Sequence, residues 1–122
     1  MPFTSAQEKS GSNSGVIQDL RDWLDRVEEI GELRRLEGIH WDAEMGPLTQ
    51  YLHEKLKDQT PALLFDNIPG YPEGYRCLYA HFSTVRRVAL TLGLPIDLPG
   101  KVDYVRAYQQ KVESVQPIPP QW

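Results

Sequence analysis

The twenty residues from 19 to 38, DLRDWLDRVEEIGELRRLEG, constrain the fold more tightly than any other stretch of the chain. Leu20, Trp23, Leu24, Val27 and Ile30 recur at three-and-four spacing, which predicts a helix with one apolar face. Asp19, Arg21, Asp22, Asp25, Arg26, Glu28 and Glu29 fill the other faces, and Arg21 can reach Asp25 one turn on. Gly31 stands where a left-handed cap ends a helix. Residues 33–39 then read as a strand, with Arg34, Arg35 and Glu37 marking a solvent-facing side or a sheet edge. A helix, a glycine stop and a strand follow one another with almost no linker. The segment is a packing unit without a reactive group of its own.

The remaining residues extend this pattern. Asp42 is placed to cap a helix carrying Met45, Leu48, Leu52 and Leu56, which ends before Thr60 and Pro61. Pro47 is tolerated in its first turn. Residues 62–68 form the most apolar strand, suited to the inside of a sheet. A turn with two prolines and two glycines, residues 69–74, leads hairpin-fashion into a third strand at 75–81. Ser83 or Thr84 caps a helix running to Leu92, with Val85, Val88, Ala89 and Leu92 inward and Gly93 and Pro95 as its stop. A last helix runs from about Leu98 or Lys101 to Val115. The order predicts an α+β domain, a small mixed sheet of about three strands packed with about four helices. Residues 1–15 read as a flexible polar arm, 16–115 as the domain and 116–122 as a proline-rich linker.

A chain of 122 residues fits one domain that needs neither disulfide nor metal to bury a core. A net charge of −4 argues against nucleic-acid binding, which leaves a basic footprint. No apolar run approaches the roughly 20 residues needed to span a bilayer, and the N-terminus lacks the pattern of a secretory signal. The single cysteine, Cys77, cannot close an internal disulfide, so a reducing cytoplasm is the expected compartment. Cys77 alternates with Tyr75 and Tyr79 and reads as a small buried hydrophobe rather than a catalytic thiol.

Reactive groups are scattered. His40, His53 and His81 lie in three different elements, and His53 and Glu54 are adjacent and point apart, so no metal box is formed. Glu37, Asp42 and Glu44 cluster near His40 and Trp41, but their spacing does not force a shared cleft. Asp66 and Asn67, at the end of the central strand, either line a cleft or make the local bonds that turns require; the local bonds are the favoured reading. Ser83 and Thr84, followed by Arg86 and Arg87, hold the ingredients of an anion site without a glycine-rich cradle. Surface ion pairing is the favoured use of these arginines, and an arginine crossing an interface to a partner carboxylate is the variant worth keeping. Tyr71, Tyr75, Tyr79, Tyr104 and Tyr108 are spaced as core or interface anchors. There is no nucleophile elbow, phosphate loop or paired-cysteine zinc motif.

Three segments in order, residues 19–38, PALLFDNIPGYPEGYRCL at 61–78 and STVRRVALTLGLP at 83–95, followed by PIPP at 117–120, resemble the N-terminal domain of the UbiD family of prenylated-flavin-dependent (de)carboxylases. The resemblance covers about 100 residues, everything after the polar arm. It implies a small supporting domain ahead of a split-barrel domain that binds prenylated FMN with a divalent metal and potassium. The family's flavin, metal and Glu–Arg–Glu positions belong to that later region, so the resemblance assigns no catalytic, cofactor-binding or metal-binding residue here.

Two functions follow. The chain is a small subunit or isolated N-terminal domain of a carboxy-lyase acting on aromatic or unsaturated acids, inactive alone and hetero-oligomeric with a large UbiD-like chain that carries the cofactors. The alternative is a non-catalytic binding or regulatory module derived from that domain. Trp23, Asp66, Asn67, Arg86, Arg87 and Trp122 are the candidate interface or cleft contacts. Trp122 or the 1–15 arm is expected to meet another chain, because a large ring at a flexible end seeks cover.

Overall fold

A computed structural model describes residues 16–122; the polar arm lies outside the described residues. The first helix, α1 (Leu20–Glu29), starts at Asp19, whose carboxylate accepts the Asp22 N–H at 2.9 Å. It ends as a Schellman turn. Gly31 adopts φ +78°, its N–H bonds the Glu28 carbonyl, and the Glu32 N–H bonds the Val27 carbonyl. Trp23, Leu24 and Val27 are buried as the periodicity predicts, but Leu20 is largely exposed at the first turn. An ion pair along this helix joins Asp22 and Arg26.

Strand β1 (Leu33–Glu37) follows, and Gly38 at φ +73° ends it two residues before the predicted limit. The predicted Asp42 cap is not formed. The His40 carbonyl accepts from the Glu44 and Met45 N–H groups, opening a wide π-turn over Trp41–Met45. Asp42 falls inside that turn and is exposed, while the Glu44 carboxylate reaches back to the His40 N–H. Helix α2 (Gly46–Leu56) continues from it, with Pro47 in the first turn, and passes through a short 3-10 turn to β2 (Ala62–Asp66). Strand β3 (Cys77–Tyr79) is shorter than predicted, since Ala80 at φ +58° breaks the extended backbone. Thr84 caps α3 (Val85–Leu92), its hydroxyl accepting the Arg87 N–H, and α4 (Lys101–Ser114) packs beside α3.

The sheet order is β1-β2-β3, with β1 parallel to β2 and β3 antiparallel to it. This is the α+β architecture read from the sequence. β1 is an edge strand, which explains its arginines and glutamate. β2 is buried on both faces. Ala62 and Leu64 meet Trp23, Leu24 and Val27 with Leu90 of α3 behind them; Leu63 and Phe65 meet Met45 and Ile68, with Leu48 and Leu52 of α2 alongside. A central strand facing two layers must be apolar at every position, and ALLF is. One expected inward position is corrected: Leu92 lies exposed at the last turn of α3, while Ala89 is buried as expected and Arg87 is buried beside it.

Two substitutions test this layout. Gly31→Ala meets no steric obstruction but forces a side chain into left-handed backbone, so unfolding in urea should show a loss of about 1–2 kcal/mol; an unchanged midpoint would contradict the cap. The Asp22 carboxyl is held below its ordinary value of 3.8, first by the Gln18 N–H and then, against a small burial cost, by Arg26. A depressed folded pKa gives stability that is complete above the unfolded value and is lost as pH falls through the folded one. Asp22→Asn should therefore flatten the acid limb of the stability curve below about pH 4, leaving the limb near neutrality unchanged in slope.

Candidate functional site

One guanidinium draws one end of the sheet together. Arg87 is fully buried, and its side chain reaches four backbone or carboxylate oxygens. Nε donates to the His81 carbonyl at 3.0 Å, and Nη1 to Glu32 Oε1 at 2.9 Å. Nη2 faces the carbonyls of Thr60 and Ala80, both at 2.8 Å, and the Ser83 hydroxyl at 2.7 Å. Glu32 precedes β1, Thr60 precedes β2, and Ala80 and His81 follow β3. Because β3 runs antiparallel to the others, all three strand ends lie on the same side.

Glu32 joins this centre to the surface. Its second oxygen accepts from Arg86 at 2.9 Å, and its first also accepts the Thr84 hydroxyl at 3.2 Å. Arg86 extends on to Asp97 at 3.4 Å. Burial pulls Arg87 below the ordinary arginine range, with Glu32 opposing that shift, whereas Glu32 first of all raises Arg86. Both stay charged at any pH the fold survives. The expectation of surface ion pairing thus holds for Arg86, which is partly exposed, and is corrected for Arg87. A guanidinium can be buried when each donor direction meets an oxygen, and the strand ends supply those oxygens. Glu32 carries no sequence signal beyond a carboxylate directly after a helix-ending glycine, and the sequence alone does not single it out.

The other candidates separate. Trp23 is 4 % exposed, stands edge-on to Phe82 and donates its indole N–H to Thr91 Oγ1 at 2.8 Å. Its rim floors a shallow apolar groove with Ile17, Leu20 and Phe82. Asp66 makes a local bond and Asn67 a cross-strand one. Asp66 Oδ1 accepts the Asn67 N–H, and Asn67 Nδ2 donates to Glu37 Oε1 at 2.6 Å, tying the far ends of β1 and β2. Trp122 is fully exposed at the end of the extended tail. Cys77 is half-buried against the Phe65 cluster.

Two surfaces carry uncovered apolar groups. Val105, Tyr108 and Val112 follow three-and-four spacing along α4, with Val115 at its C-cap, and all four are about half exposed. The neighbouring face of α4 is anchored to the domain through the Tyr104 hydroxyl, which donates to the Ile96 carbonyl at 2.5 Å, and through Lys111, which donates to the Leu92 carbonyl. That heptad-like spacing is present in the sequence and is the signal the tyrosines alone do not convey. The second surface is a recess of about 560 Å³ beside the hairpin loop, walled by Trp41, Tyr71, Tyr75 and Tyr79.

Among the described residues no three His, Cys, Asp or Glu side chains converge, and every buried side-chain donor or acceptor already has a partner. The cations of the cleft between α3 and α4 are likewise engaged, Arg86 by Glu32 and Asp97, and Lys101 by Asp58 at 3.6 Å. The arrangement orders a backbone and presents apolar surface.

Residues 24–101 match the model of the 3-octaprenyl-4-hydroxybenzoate carboxy-lyase N-terminal domain, UbiD_N. Two structures of the vanillic acid decarboxylase ShVdcCD of Sedimentibacter hydroxybenzoicus, both in open form, share the fold. The one with a truncated ShVdcD superposes with a TM-score of 0.69 at 24% identity over 79% of this chain. The other gives 0.61 at 24% identity over 75%. This chain spans only about one fifth of those chains, 20% and 19% of their length.

The network predicts unequal costs for adjacent arginines. Arg87→Met strands Glu32 and three carbonyls and should cost about 3–5 kcal/mol by chemical denaturation. Arg86→Met, at the partly exposed end, should cost about 1 kcal/mol or less. Arg87→Lys should not rescue, because one ammonium cannot serve oxygens fanned around a planar fork. Equal losses at both positions would refute the pin.

Proposed function

The chain belongs to the UbiD family through its carboxy-lyase N-terminal domain, and from that membership we propose that it is the supporting N-terminal domain or small subunit of a UbiD-like carboxy-lyase. Its substrates are aromatic or unsaturated carboxylic acids. Prenylated FMN, a divalent metal and potassium reside on a large catalytic chain, and the pair works in the cytoplasm as a hetero-oligomer. No helix among the described residues is long and apolar enough to cross a membrane.

The observation that carries the supporting role is the apolar stripe of α4. Three side chains at heptad-like spacing, with Val115 at the cap, stand half exposed on a helix whose other side is fastened to the domain. Apolar area left in water on an ordered helix gains about 25 cal/mol per Å² when a partner covers it. A surface of this kind suits a lasting interface with the flavin-bearing chain. Arg87 and Glu32 serve that interface indirectly, by keeping the start of α3, against which α4 packs, fixed to the sheet.

Co-expression with a UbiD-type large chain loaded with prenylated FMN tests the proposal. The two should co-migrate in size-exclusion chromatography. Val112→Asp should weaken the complex at least roughly tenfold. The same variant should leave the unfolding midpoint of the isolated chain within about 0.5 kcal/mol of the parent. Failure to co-migrate, with the large chain fully active alone, favours a freestanding binding module instead. Flavin absorbance at stoichiometric level on the isolated chain would overturn the placement of the cofactor.

A further inference from the structure

We infer that the tyrosine-walled recess beside the hairpin loop is a binding site for a small aromatic carboxylic acid, its ring held among Trp41, Tyr71 and Tyr75 and its carboxylate by Arg76. The recess measures about 560 Å³, within the range of small-molecule sites. Two separate segments build it. The π-turn over Trp41–Met45 brings both its first and its last residue to the recess, Trp41 exposed and Met45 buried. Single π-turns recur at functional sites, where the widened backbone ring re-aims side chains. The hairpin loop supplies the other wall. Tyr71 and Tyr75 rise from a loop pinned by two backbone turns, Tyr71 N–H to the Ile68 carbonyl at 3.1 Å and Tyr75 N–H to the Pro72 carbonyl at 3.4 Å. Gly70 and Gly74, at φ +87° and +98°, allow those turns. The two rings stand 6.3 Å apart between centroids and 41° from parallel, so they form a tilted corner instead of a stack. Cys77 and Tyr79 extend the lining from β3, and Phe65 holds Tyr79 edge-on at 5.4 Å.

The charge in the lining selects the ligand. Arg76 is the single charged residue there, and it has no ion-pair or hydrogen-bond partner among the described residues. Glu44 of the π-turn does not answer it, because that carboxylate is turned to the His40 N–H. Arg35, Arg86 and Arg87, by contrast, each meet a carboxylate of the chain. A guanidinium left open beside aromatic walls fits a planar carboxylate, which accepts two parallel N–H bonds from the fork. The tilted rings in turn favour an aromatic ring in offset or edge-on contact. A neutral aromatic would leave Arg76 unmatched, and an aliphatic acid would forgo the ring contacts. An aromatic acid uses both. This class is also that of the proposed substrates, yet it follows here from the lining of the recess alone.

Calorimetric titration of the full chain with benzoate provides the test. The expected result is saturable binding with a Kd below about 1 mM. Benzamide keeps the ring without the charge, and cyclohexanecarboxylate keeps the charge without the aromatic ring. Each should bind at least roughly tenfold more weakly than benzoate. Arg76→Gln should bring benzoate down to the level of benzamide, and Tyr75→Ala should weaken benzoate by a similar factor, roughly tenfold. Both positions are exposed, so the unfolding midpoint of each variant should match that of the parent. Benzoate should also move backbone amide resonances at the recess residues of the π-turn and the hairpin loop. No saturation up to about 10 mM, equal affinity for the acid and its amide, an unchanged Kd in Arg76→Gln, or resonance shifts gathered elsewhere in the chain would each overturn the inference. The titration needs no partner, so its outcome and that of co-migration with a flavin-bearing chain are independent.

Discussion

The fold depends on a buried positive charge placed where the backbone runs out of partners. A three-stranded sheet leaves carbonyls at its ends without ladder bonds, and burying them unpaired would cost on the order of 1–3 kcal/mol each. Arg87 answers three of them at once and brings in Glu32 as its counter-charge. A hydrophobic residue at that position could fill the space but would leave the carbonyls bare. The same guanidinium makes α3 part of the sheet assembly, and α4 rests on α3.

The opposite end is closed differently. Gly38 and Asn67 turn β1 and β2 away with positive φ angles, and the Asn67 side chain bridges to Glu37. This end faces solvent, so a neutral amide and an exposed carboxylate suffice there. One end is a desolvated ion cluster and the other a wet turn. Asp66 and Asn67, which are cleft candidates by position, belong to the wet turn.

Apolar periodicity made most of the architecture readable. Trp23, Leu24 and Val27 declare the core of α1, and the unbroken ALLF run declares a strand covered on both faces. Gly31, Thr84 and Gly93 mark their helix ends because backbone geometry admits few alternatives. Arg87 was unreadable for the opposite reason: a charged residue in a helix is assumed to face water until its acceptors are known, and these lie 4 to 55 residues away in the chain. Asp42 misled because the turn opens earlier, at the His40 carbonyl, and leaves Asp42 inside it with nothing to cap. The stripe on α4 was present in the spacing, yet spacing cannot tell a core face from one awaiting a partner.

The order of synthesis gives the Arg87 cluster a further meaning. All three strands and Glu32 are made before the residue that satisfies their ends. On a ribosome delivering the chain from its N-terminus, the sheet must stay incomplete until α3 emerges.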